Sequence, residues 1–301
     1  MSRSPFSTLE RPTLRPHEQE NVCGGRVDPT WPRISIVTCS YNQAPFLEQA
    51  ILSVLAQDYP NLDYMIVDGG STDGSVEIIQ RYERYLTWWV SEADEGQSHA
   101  IEKGFARATG TLLNWINSDD LLFPGALQHI ATAWRDRSDG DLFVGAHASC
   151  DADGRIRRIS VPPLRPAMCH RHGTIPIGQQ SVFFTREIYQ RIGGIRRDLH
   201  LTMDRDLFHR MLDAGGKPVT TAGLVGAWRH HSETKTARRT DQGSQESAQF
   251  MKQRCISRRR HELGRWWMRL VRCFDGSYGR SWWMTRRLGG RTPGERVGSS
   301  L

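Results

Sequence analysis

No apolar run in this 301-residue chain approaches the roughly 18–20 residues needed to cross a bilayer. The residues after Met1 have no apolar core of the kind that marks a secretory signal. The six cysteines, Cys23, Cys39, Cys150, Cys169, Cys255 and Cys273, contain no C-x-x-C pair, so reduced thiols in a cytoplasmic protein are expected. Cys169, His170 and His172 lack a second ligand pair at finger spacing, which argues against structural zinc. No G-x-G-x-x-G follows the first predicted strand, and no G-x-x-x-x-G-K-[ST] occurs. A Rossmann cofactor site and P-loop phosphoryl transfer are therefore unsupported. There is also no internal repeat.

What remains reads as a folded α/β protein. Hydrophobic residues make up 38% of the chain against 24% charged, a balance that supports a packed core. Residues 1–31 mix Pro, Arg, Ser, Thr and Glu without periodicity and are read as a flexible leader. Beyond them, β-branched and apolar runs at 34–39, 64–67, 86–90 and 112–116 predict strands. Helical patterns alternate with them, starting at Pro45, after an Asp73 N-cap, over 98–108 and from Pro124. That alternation predicts a mostly parallel sheet flanked by helices. After Asp141 the pattern loosens into short strands and two helices, 186–192 and 204–214.

Ligands of open α/β sheets bind beyond the carboxyl ends of the strands. Here those ends carry Thr38, Ser40, Tyr41 and Asn42; then Asp68 to Asp73; then Asp94 to Gln97; then Asn117, Ser118, Asp119 and Asp120. Carboxylates crowded into one crevice repel unless a cation or hydrogen-bond donors compensate. Asp119 and Asp120, beside Asp68 and Asp94, suit Mg²⁺ or Mn²⁺, which takes one or two carboxylates and fills its shell with water and substrate phosphate. Taken alone, the adjacent pair would read better as a helix cap before Pro124; the company of Asp68 and Asp94 favours the cation.

The segments 34–42, 67–75 (VDGGSTDGS), 91–110 and 114–124 (NWINSDDLLFP) resemble successive blocks of the family 2 glycosyltransferases. The similarity continues through 178–184 (GQQSVFF), through Gly193-Gly194 and Met203-Asp204-Arg205-Asp206-Leu207, and into Trp228-Arg229-His230-His231. The resemblance implies a GT-A type fold over 32–236 and an inverting transfer of sugar from a nucleotide diphosphate sugar to an acceptor hydroxyl. It implies that Thr38, Tyr41, Asp68 and Asp94 line the base and ribose pocket, with Lys103 in the adjoining block. Asp119 and Asp120 become ribose and metal contacts, and Asp204 the general base. His231 falls near the metal and diphosphate, Arg229 and Lys235 near the leaving charge, and Gln179 and Gln180 on the acceptor side. Asp204 also reads as a helix cap, His231 as a surface histidine, and the two glutamines as an ordinary strand edge. The sequence departs from the family pattern at Asn117, the first D-x-D position, at Glu102 before Lys103-Gly104, and at Met203 in place of a glutamate.

Charge is uneven along the chain. Residues 238–301 hold 15 Lys/Arg against 5 Asp/Glu, so with +7 overall the remainder carries −3. Residues 237–301 are read as a basic amphipathic helical tail, with Trp266, Trp267, Leu270, Val271 and Phe274 on one stripe and Arg265, Arg269 and Arg272 flanking it. Such a helix either lies on an anionic membrane surface, as a peripheral protein on the inner face, or packs its stripe on the catalytic domain. A nucleic-acid-binding protein is disfavoured because the globular part is acidic, so no nucleic-acid partner is expected. A catalytically silent nucleotide-sugar-binding module is the other alternative, and the retained Asp119, Asp120 and Asp204 speak against it.

Overall fold

A computed structural model of the chain describes residues 31–232, 234 and 240–291. Apart from Trp31, the predicted leader lies outside the described residues, as does Lys235. Strand β1 (Ile34–Ser40) is buried along its whole length because both faces are covered. Ile34 and Ile36 pack with Leu47, Ile51 and Val54 of helix α1 (Ala44–Leu55), while Val37 and Cys39 pack with Ala100, Ile101 and Phe105 of helix α3 (Gln97–Arg107). A Cβ at position 104 would lie 2.5 Å from the Val37 methyls, so Gly104 is what lets α3 lie against β1.

Strands β2 (Leu62–Asp68), β3 (Trp88–Ser91) and β4 (Leu112–Asn117) join β1 in the order β3-β2-β1-β4, all parallel. In register, Ser40 lies beside Asp68, Asp68 beside Ser91, and Cys39 beside Asn117. The four polar strand ends are therefore level, which places the loops that follow them along one rim. The predicted third strand begins later than its sequence suggests, since Leu86 is buried in a bend before Trp88. Helices α2 (Ser75–Tyr82) and α4 (Ala126–Asp136) cover the α1 face. Asp73 is not the N-cap of α2; that position is Gly74, at φ +95°. Instead Asp73 accepts from Ser75 N (3.1 Å) with one oxygen and from Ala44 N (2.9 Å) with the other, tying the starts of α2 and α1 together.

Beyond β4 the sheet becomes mixed. Strands β5 (Leu121–Leu122), β6 (Leu142–Cys150), β7 (Ile156–Ser160), β8 (Val182–Thr185) and β9 (Pro218–Arg229) extend it as β4-β8-β6-β9-β5, with β7 paired to β6. β8 runs antiparallel to both neighbours, and β9 runs parallel to β6. Helices α5 (Arg186–Arg191) and α6 (Met203–Asp213) join α3 on the second face through Ile188, Leu207, Phe208 and Met211.

Three helices follow: α7 (Thr240–Gln253), α8 (Arg258–Phe274) and α9 (Ser277–Leu288). They are docked on the domain. Thr285 Oγ1 accepts from Ile159 N and Ser281 Oγ from Val161 N, both at 2.9 Å, and Leu288 joins Ile156 and Ile159 in a small apolar cluster. The buried residues of α8 are Gly264, Met268 and Arg272, not the tryptophan stripe. Leu263, Trp266, Trp267, Phe274, Trp282 and Trp283 are exposed, and Arg286 and Arg287 lie over the rings of Trp282 and Trp283. Among the described residues no helix is long and apolar enough to cross a membrane.

Candidate active site

The loops at the level strand ends divide the expected site residues into surface and scaffold. Asp68 is fully buried, and its carboxylate accepts from Gly70 N (3.1 Å), Ser71 N (2.8 Å), Ser71 Oγ (2.6 Å) and Ser91 Oγ (2.7 Å). It brackets the Gly69–Gly70–Ser71 turn against β3. Thr38 is equally buried, 2.9 Å from the Tyr64 hydroxyl. Both residues, expected to line a base and ribose pocket, are buried beneath the strand-end loops.

Tyr41 and Asp94, by contrast, stand at the surface of the crevice. Tyr41 is 64% exposed. A Cβ at position 69 would sit 3.2 Å from the Tyr41 ring and 3.1 Å from Asp94 Oδ2, so Gly69 is the floor of a slot between an aromatic ring and a carboxylate. Asp94 Oδ1 accepts from Gly96 N at 2.7 Å, which fixes the other oxygen toward the slot. Lys103 is held in an ion pair with Glu92 (2.9 Å) on the same rim.

At the end of β4, Asp120 is buried and its carboxylate accepts from three donors. Oδ2 accepts from Asn117 Nδ2 and Gln180 Nε2, each at 2.8 Å, and Oδ1 accepts from Arg229 N at 3.2 Å. Burial first, and then the neighbouring Asp119 charge, push its pKa upward. Asp120, expected as a metal contact, here braces the end of β4 against Gln180 and β9. Asn117 has a role that aspartate could not fill: its amide donates to Asp120 and its oxygen accepts from Gln97 at 2.5 Å. A third carboxylate there would add repulsion to a pair that already repels.

Arg229 is likewise committed. It donates to the Asp119 carbonyl (3.1 Å), the Ala152 carbonyl (3.0 Å) and Gln49 Oε1 (2.7 Å), and lies over the Phe46 ring at 4.9 Å. It shapes the Asp119–Asp120 turn, with each of its three side-chain nitrogens donating. Gln179 donates to the Trp115 carbonyl (2.6 Å) and Gln180 to Asp120, so both side-chain amides donate inside the fold.

What this scaffold presents is Asp119 with His231. Asp119 Oδ2 and His231 Nε2 are 3.1 Å apart, the His231 ring lies 4.3 Å from the Phe46 ring, and buried His231 Nδ1 has no hydrogen-bond partner among the described residues. Among the described residues no three His, Cys, Asp or Glu side chains converge as a metal cage. The Asp119–His231 pair fits the other arrangement, in which a hard cation takes few protein ligands and completes its shell with substrate phosphate and water. Phe46 and Gln49, unforeseen in the sequence, belong to this support; at helical spacing they read only as ordinary residues of α1.

Asp204 stands in the first turn of α6, half-buried, with Oδ1 accepting from Arg205 N at 2.7 Å. Burial pushes its pKa above the ordinary carboxylate range. It lines a cavity of about 340 Å³ whose apolar wall includes Ile175, Ile177 and Phe208. Met203, in place of the expected glutamate, turns inward to the core. The segment leading to α6 is held from the C-terminal side. Glu246 of α7 accepts from His200 N (3.2 Å), Leu201 N (2.9 Å), Thr202 N (3.0 Å) and Thr202 Oγ1 (3.1 Å). The same segment touches the start of α3 at the strand-end rim, where Ser98 Oγ donates to the Leu199 carbonyl at 2.6 Å.

This sheet, with its carboxylate-bearing crevice at the level strand ends, defines a glycosyltransferase of the GT-A class. Residues 35–214, more than half of the chain, match the family model for glycosyl transferase family 2, and the chain belongs to that family. An uncharacterized glycosyltransferase of Mycobacterium tuberculosis is 36% identical over 182 residues, covering 60% of this chain and 68% of its own. A putative teichuronic acid biosynthesis glycosyltransferase of Bacillus subtilis is 33% identical over 117 residues, 38% of this chain and 46% of its own. For another relative, an uncharacterized glycosyltransferase of Nostoc, the match spans only 33% of its length. Among solved structures, a mannosyltransferase from Pyrobaculum calidifontis in complex with GDP-Man and Mn²⁺ superposes with a TM-score of 0.56 at 22% identity, covering 86% of this chain and 76% of its own. S. aureus TarS in complex with UDP-GlcNAc gives 0.55 at 16%, covering 69% and 61%.

Proposed function

We propose that this protein transfers a sugar from a nucleoside diphosphate donor to an acceptor hydroxyl with inversion, in the assembly of a polysaccharide or other glycoconjugate. The observation that carries the reading is Asp204, a carboxylate of raised basicity on the wall of a cavity whose approach segment abuts the strand-end rim. Nucleotide complexes of the fold relatives support the donor class, and the teichuronic acid relative supports a polymeric product. The base and ribose would occupy the slot between Tyr41 and Asp94. Asp119 and His231 would hold Mg²⁺ or Mn²⁺, which supplies positive charge to the departing diphosphate when bound. Asp204 takes the acceptor's proton as the oxygen bonds to the anomeric carbon, and the bond from that carbon to the diphosphate oxygen breaks on the opposite side. The exposed Trp and Arg side chains of α8 and α9 support attachment to an anionic membrane surface.

Asp204→Asn tests the base. It should lower turnover by about 10²–10⁴-fold and leave donor affinity unchanged, because an amide keeps the shape but cannot take the proton. Full turnover by this variant with an authentic acceptor would exclude Asp204 as the base.

A further inference from the structure

The cavity at Asp204 contains more than a base. Its remaining wall is supplied by Arg205 and by His261 and Arg265 of α8, and Asp204 is the one carboxylate among its lining residues. Helix α8 reaches this wall because residue 264 is glycine: a Cβ there would fall 2.4 Å from His172 Cβ. Arg205 spends one nitrogen on the Gly173 carbonyl (3.1 Å) and lies over the Phe250 ring at 4.2 Å, with no carboxylate in an ion pair among the described residues. Arg265 is exposed and has no hydrogen-bond or ion-pair partner among the described residues. Burial, then Arg205, then Arg265 hold the His261 imidazole below its usual range, so it adds no charge at neutral pH. Two guanidinium groups thus face a single carboxylate.

We propose that this cavity binds the acceptor through an anionic substituent, a phosphate or a carboxylate, clasped by Arg265 and Arg205 while the neighbouring hydroxyl is presented to Asp204. This rests on the reading of Asp204 as the base. A planar guanidinium matches both anions with paired, charge-assisted hydrogen bonds, whereas a neutral sugar leaves the two cations uncompensated. Ile175, Ile177 and Phe208, the last stacked on Trp115 at 6.2 Å, offer an apolar face for a sugar ring. The volume, about 340 Å³, is at the small end for ligand sites and suits one charged sugar unit. An anion beside Asp204 also disfavours its ionised form, which strengthens it as a base.

The test uses the full-length protein with a chelator present and three probes at equal ionic strength, glucose 6-phosphate, glucuronate and glucose, titrated by ligand-observed NMR. At least one charged probe should bind more tightly than glucose, and which one does identifies the group as phosphate or carboxylate. Arg265→Glu should weaken that probe roughly 10- to 100-fold, with Arg265→Lys intermediate. UDP or GDP binding with Mn²⁺ should be unchanged in both variants, and melting should confirm that they fold. Glucose binding as tightly as both charged probes, or an Arg265→Glu protein that holds the charged probe as well as the parent, overturns the proposal. Failure of UDP and GDP to bind the parent protein would count instead against the donor reading.

Discussion

Glu246 offers a direct measure of how much the C-terminal helices contribute to the site. Its carboxylate accepts from three successive backbone N–H groups, 200–202, from the Thr202 hydroxyl and from Gln242 Nε2. Burial alone would raise its pKa, but the Leu201, His200 and Thr202 donors outweigh that and hold it below the usual glutamate range. In Glu246→Ala the half-buried His200 and Leu201 amides can turn to water, while the buried Thr202 loses two partners. With two buried unsatisfied donors costing about 1–3 kcal/mol each, the expected loss is about 2–6 kcal/mol. At about 2–4 °C per kcal/mol for a domain of this size, that lowers Tm by about 4–24 °C in calorimetry. Glu246→Gln keeps one acceptor oxygen and should fall between. The sign with pH is fixed by the lowered pKa. The stabilisation is complete above the unfolded value and disappears as pH falls through the folded one, a limb that Glu246→Gln should lack. Because the segment leads into Asp204, turnover should drop with stability. A Glu246→Ala protein that melts within about 1 °C of the parent with turnover intact would refute this account.

Other expectations follow from the same geometry. Nucleoside diphosphate binding by calorimetry should depend on Mg²⁺ or Mn²⁺ and should lose that dependence in Asp119→Asn; equal affinity with and without chelator would remove the metal from the site. Asp204 has a raised pKa, so transfer should climb with pH through a midpoint above the ordinary carboxylate value of about 4, and stability should fall over the same range. A kcat profile flat from pH 4 upward would contradict it. Co-sedimentation with anionic liposomes should fall with added salt and in Trp266→Ser/Trp267→Ser; indifference of the parent protein to such liposomes at low salt would make the exposed tryptophans something other than a membrane contact.

The strands were legible because a strand buried on both faces is written as a continuous apolar run, and because polar residues collect where such a run ends. The site beyond that was legible only in part. Thr38 reads as a polar residue in position to line a pocket, but the alternation of β1 puts it with Ile36, under α1, against Tyr64. Asp68, Asp120 and Arg229 looked like ligand contacts because their charge is visible in the sequence and their partners are not. Arg229 is satisfied by Gln49 and Ala152, and Asp120 by Gln180, pairings across distant parts of the chain with no periodic signature. Helix α8 defeats the hydrophobic pattern outright. It buries Gly264 and Arg272, the latter donating to Ser281 at 3.1 Å, and leaves its tryptophans outside, because close backbone approach and a polar socket decide the docked face.

Strand β7 pairs with β6 on one side only, so its other side would be an open sheet edge. The outward N–H groups of Ile159 and Val161 are met by Thr285 and Ser281, that of Ile156 by the Arg291 carbonyl, and the Ile156 carbonyl by Gly290 N. Unpaired edges are templates for pairing with another chain, and covering them with a helix is one way proteins stay monodisperse. Helix α9 is therefore a guard against self-association as well as a carrier of exposed tryptophans. A protein cut after α8 would gain a bare edge beside an already apolar surface, and its pelleting in a liposome assay would report aggregation, not lipid. Point substitutions on the outer face leave that cover in place.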